Sequence, residues 1–82
     1  MASHEELVRA VDLALAGAWD DAHRIVQADE DGQLACWIHA TLHKIEGDEG
    51  NSRYWYRRSG QFYESYTDPT AELKAIRAAL TY

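Results

Sequence analysis

The chain has 82 residues, 46% of them hydrophobic, with three Trp, five Tyr, one Phe and a formal net charge of −6. That length makes one domain, residues 1–82, which buries only about 60–65% of the surface its unfolded form exposes, so its stability margin is thin. A negative field repels phosphate backbones and excludes general nucleic-acid binding, while the lone Cys36 excludes an internal disulfide framework and points to a reducing compartment. No apolar run approaches the ~18 residues of a membrane span and no basic-then-apolar leader opens the chain, so a cytoplasmic protein with no membrane partner is expected.

The elements read as helices throughout. Ser3 and Glu6 form a capping box that starts a first helix near residue 4. Leu7, Val8, Val11, Ala14 and Leu15 recur on one face of it, and Gly17 suits the left-handed position that ends it. A second helix follows from about Trp19, with Ala22, Ile25 and Val26 inward, and Asp29-Glu30-Asp31-Gly32 reads as a turn. The third helix runs from about Gln33 to Glu46 with a core stripe of Leu34, Ile38, Thr41, Leu42 and Ile45 and Trp37 at its margin. Gly47 ends it, and Asp48 or Asn51 caps a fourth helix that stops at Gly60. Residues 61–67, with Phe62, Tyr63 and Tyr66, read as an ordered aromatic loop. Asp68-Pro69 starts a fifth helix that turns Leu73, Ile76 and Leu80 inward.

Charge is unevenly distributed along these elements. Residues 1–31 carry eight acids against Arg9 and Arg24, residues 32–66 four acids and four bases, and residues 67–82 two of each. The excess negative charge therefore lies wholly in the first third. A local anion site around Arg53, Arg57 and Arg58 stays open.

Residues 15–22 and 45–52 repeat one another: each has a helix ending at Gly and a small residue five positions on, at Ala22 and Ser52. Ala10 and Ala40 stand seven positions before Gly17 and Gly47. Over residues 4–59 the chain resembles a degenerate tetratricopeptide-type pair of helical hairpins, in which small residues let two helices approach closely. The resemblance implies two antiparallel hairpins with the C-terminal helix as a cap over the open end. The run His39-Ala40, His43, Glu46-Gly47-Asp48, Asn51-Ser52, Tyr54-Trp55-Tyr56-Arg57-Arg58 also resembles a family of small uncharacterised microbial proteins. Their shared segment reads roughly H-A-x-x-H-R-x-E-G-D-x-x-N-[AS]-x-Y-W-[YF]-R-R, with Lys44 here in place of the common Arg. That resemblance implies a shared segment and no chemistry.

Two constellations carry possible chemistry. Cys36, His39, His43 and Glu46 lie within an arc of roughly 80° on the third helix, bordering its apolar stripe. The pair His39/His43 at i, i+4 can hold one ion, and zinc or another divalent metal accepts imidazole, thiolate and carboxylate. The whole stripe is about 15 Å long, so a metal site on His39, His43 and Glu46 needs help from another helix, from His23 or an acid of the second helix. The ordinary alternative is that His39 and His43 are hydrogen-bonded partners in a packed interface, with Glu46 capping or pairing with an Arg. The second constellation is Arg53, Tyr54, Arg57 and Arg58, a possible pocket for a carboxylate or phosphate with aromatic walls. The ordinary alternative pairs these arginines with Glu46, Asp48 or the acidic N-terminal helices and stacks them on Trp or Tyr.

The expected fold is all-α: five helices as two antiparallel, tetratricopeptide-like hairpins plus a capping C-terminal helix. The expected function is a small helical interaction or ligand-binding module for a protein partner or small anionic ligand, and a homodimer is expected because so short a repeat leaves apolar edges. The alternative is a metal-binding protein or metal-dependent enzyme using the His39/His43/Glu46 stripe.

Overall fold

A computed structural model describes residues 2–82. Among these are five helices, α1 (His4–Leu15), α2 (Trp19–Gln27), α3 (Gln33–Glu46), α4 (Glu49–Ser59) and α5 (Pro69–Thr81), with a 3-10 turn at Tyr63–Ser65 and no strand. The fold is all-α. Among the described residues no helix is long and apolar enough to cross a membrane.

Helix boundaries follow local chemistry. The Ser3 hydroxyl accepts from Glu6 N while the Glu6 carboxylate accepts from Ser3 N, closing the capping box. Asp48 caps α4 by accepting from Asn51 N, and Asp68 caps α5 ahead of Pro69. The repeat is geometric as well as compositional. Gly17 and Gly47 both take φ 84°. Each donates to the carbonyl three residues back, Ala14 and Lys44, and the next amide donates to Leu13 or His43. This is the same Schellman ending at both hairpins. Ala10, Ala22, Ala40 and Ser52 are all fully buried, and the Ser52 hydroxyl donates to Ala40 O at 2.7 Å. The small residues thus stand where paired helices approach most closely.

The antiparallel pairs α1/α2 and α3/α4 form two hairpins, and α3 lies at the centre, packed against the other four helices. Every residue from Ala35 to His43 is buried. A single apolar stripe with Trp37 at its margin therefore understates α3, because helices surround it; Trp37 is a buried core residue that donates to Glu72. Two residues assigned to core stripes sit outside: Leu15 is 37% and Ile45 43% exposed. They occupy equivalent repeat positions, in the final turn before each Gly, where the neighbouring helix has not yet begun. The C-terminal helix lies across α1 and α3, turning Leu73, Ile76 and Leu80 inward.

Candidate functional site

The seam between the hairpins collects three of the four histidines. His23 projects from α2, and His39 and His43 lie one turn apart on α3. His23 Nε2 and His39 Nε2 are 3.1 Å apart and share one proton in a hydrogen bond. One ring nitrogen from each of the three histidines falls within 4.8 Å of the others. The His39 and His43 rings stack at 5.0 Å and 24°, and His23 meets them edge-on at 83° and 76°. Two tryptophans wall the cluster. Trp55 of α4 stacks on His39 at 3.9 Å, and Trp19 of α2 stacks on His23 at 4.6 Å while its indole N–H donates to Leu42 O.

The electrostatics keep two of the rings neutral. Burial, then the neighbouring His23 and His43, pushes His39 down to about 3. His23 is lowered by burial and by His43, with Glu46 and Asp20 opposing. His39 is only 3% exposed, and its Nδ1 has no hydrogen-bond partner. Whichever tautomer it adopts, one buried nitrogen stays unsatisfied, at about 1–3 kcal/mol. The Nδ1 of His43 is held by the Glu46 carboxylate, which leaves Nε2 as its free ligand atom.

The structure thus joins His39 and His43 with His23 and Trp55, and gives Glu46 a supporting place on the outer side of His43. Cys36 lies elsewhere: it is buried, its thiol donates to Glu30 O, and burial pushes it up. The arginines do not join the histidines either. Arg53 is bound by Glu49 and Glu64 and lies 4.3 Å over the Tyr63 ring. Arg58 donates to Glu30 O, pairs with Asp31 at 3.5 Å, and lies over Trp55 and Tyr54. Neither reaches Glu46 or Asp48, whose partners are His43 and Asn51.

Arg53 and Arg57 line a cleft of about 240 Å³ between α4 and the segment after Gly60, together with Tyr56, Phe62, Tyr63 and Glu64. The two carboxylates on Arg53 leave Arg57 as the cleft's uncompensated cation among the described residues. Tyr54 sits outside this cleft, 44% exposed on α4. No protein family, curated protein or solved structure matches the chain. The chemistry of the site therefore rests on its own residues.

Those residues suit a metal better than an organic anion. Bonds of about 2.0–2.1 Å to zinc place tetrahedral ligands roughly 3.3 Å apart. The His23–His39 nitrogen separation of 3.1 Å is already near that value. An ion would displace the shared proton. The His23 and His39 rings would turn their lone pairs toward it, and all three nitrogens, now within 4.8 Å of one another, would close to that spacing. The Glu46 carboxylate on the far nitrogen of His43 is the arrangement that fixes a metal-binding imidazole's tautomer and raises its basicity. Sequence periodicity marked His39 and His43, but it could not show Trp19 and Trp55 as walls. Trp55 meets His39 from another helix, and Trp19, one turn before His23 on α2, reaches His43 and Leu42 O of α3 only in the folded seam.

Proposed function

We propose that this chain is a small helical ligand-binding module whose ligand is one divalent transition-metal ion, held by His23, His39 and His43. The reading is carried by the convergence of three imidazole nitrogens, from two hairpins, within 4.8 Å. The depressed His39 and His23 support it, because neutral rings bind an ion at neutral pH without first losing a proton. An all-imidazole donor set suits zinc, copper, nickel or cobalt and disfavours magnesium and calcium. In this reading Glu46 orients His43 and does not ligate. Three protein ligands leave a fourth position for water or a small molecule, the feature a metal-dependent enzyme would use.

The test is zinc titration of chelator-stripped protein, read by calorimetry and native mass spectrometry. One ion per chain is expected. His39→Ala should abolish stoichiometric binding, and Glu46→Gln should weaken affinity about 10–100-fold, as loss of such a supporting partner does elsewhere. Native spectra showing only the metal-free mass under excess zinc would remove the reading.

A further inference from the structure

The helix that supplies His23 has few anchors of its own. At nine residues α2 is the shortest of the five helices, below the ~12–15 residues at which an isolated helix becomes even marginally stable. Its N-cap, Ala18, makes no side-chain hydrogen bond, whereas Ser3, Asp48 and Asp68 cap α1, α4 and α5. Only Ala22 and Val26 of its residues are fully buried. A surface cleft of about 530 Å³, lined in part by Leu13, Ile25 and Ala28, opens along one side of its contact with α1. Among the described residues, its side-chain hydrogen bonds to the rest of the protein are two, Trp19 to Leu42 O and His23 to His39. Both run to α3.

We infer that the metal ion is a latch that holds α2 against α3 and so joins the first hairpin to the second. The inference rests on the metal-binding reading above. It adds that the ion's mechanical effect falls on one helix. An ion bound by His23 on one side of the seam and by His39 and His43 on the other places covalent-strength contacts across it. Each opening of α2 must then break the His23 bond. The α3/α4 hairpin carries the other two ligands on one helix and needs no ion to stay closed. Linkage sets the size of the effect: at free ion about 100-fold above its dissociation constant, the open state of α2 becomes up to about 100-fold rarer, less by the affinity that His39 and His43 keep on their own. Openings that leave His23 in place feel no such change.

Hydrogen exchange read by mass spectrometry tests this on chelator-stripped protein, with and without zinc chloride, alongside the native mass spectrum of the same sample. Amides of Trp19–Gln27 should slow by a larger factor than those of α4 and α5. In His23→Gln, chosen beside His23→Ala to keep a polar side chain at the seam, that added protection should disappear. If the spectrum shows bound zinc but α2 slows no more than α4, the latch is wrong and metal binding stands. If no zinc is retained, the latch falls together with the reading beneath it.

Discussion

Glu72 is fully buried on α5 and serves three donors. Its Oε1 accepts from Lys44 Nζ at 2.8 Å, and its Oε2 from Trp37 Nε1 at 2.8 Å and Tyr56 OH at 2.6 Å. Lys44 spends its remaining protons on Tyr63 O and Tyr66 O, so all three ammonium donors are used. Burial, with Glu72 alongside, drives Tyr56 well above the usual phenol range and keeps it a donor. The network pins the aromatic segment and α5 to α3. Removing one member leaves an uncompensated buried charge, so Glu72→Ala should cost about 3–5 kcal/mol in urea denaturation. The double variant Lys44→Met/Glu72→Leu should recover only part of that loss, because it removes both charges together but leaves the Trp37 N–H and Tyr56 OH without their acceptor. A single variant losing less than about 1 kcal/mol would show that Lys44 finds water when Glu72 is gone.

At the scale of elements, the two hairpins share their geometry at the turns and differ in what they bury. Ala22 and Ser52 hold equivalent places, as do Val26 and Tyr56, all buried. His23 and Arg53 are also equivalent, both half-buried, yet they meet different neighbours. His23 faces α3, whereas Arg53 faces Glu49, Glu64 and Tyr63 because no third hairpin follows α4. The turns themselves depend on backbone conformation. A Cβ at Gly47 would meet nothing within 4 Å, but φ there is +84°. Gly47→Ala should therefore cost about 1–2 kcal/mol through left-handed strain alone, with an unchanged denaturant slope because no packing is lost. Unaltered stability in that variant would mean that the turn tolerates a different ending.

The whole molecule measures 27 × 25 × 24 Å, nearly equal in all directions. Two stacked hairpins alone would leave α1 and α3 uncovered on one side, and α5 fills that side. Charge is balanced across distance as well: Arg77 of α5 pairs with Asp12 of α1 at 2.8 Å, drawing on the acidic first third. Acid should act through the histidine seam. His39 is neutral when folded, down to about 3, against about 6.5 for an exposed imidazole. Between those values the unfolded chain binds the proton that the folded one refuses, so stability of the metal-free protein rises with pH across that window. Scanned by thermal denaturation, stability should fall by up to about 1.4 kcal/mol per pH unit as pH drops below 6.5. His39→Phe should flatten that dependence, and an equally steep profile in the variant would assign it to other groups.

Helix positions, turn glycines, caps and the 30-residue offset between Gly17 and Gly47 were legible in the sequence, because each is a local matter of backbone conformation and side-chain periodicity. Ser3, Asp48 and Asp68 cap the helices their spacing announces. His39 and His43 were visible as a pair for the same reason, one turn apart on one helix. What periodicity could not decide was which groups from distant parts of the chain meet. The seam of His23 with His39, the separation of the arginines from Glu46, the burial of Glu72 and the exposure of Ile45 all depend on how helices pack. Polarity predicts a surface position for Glu72 and apolarity a core position for Ile45, and both rules fail where tertiary contacts satisfy a charge or leave an apolar side chain without a neighbour.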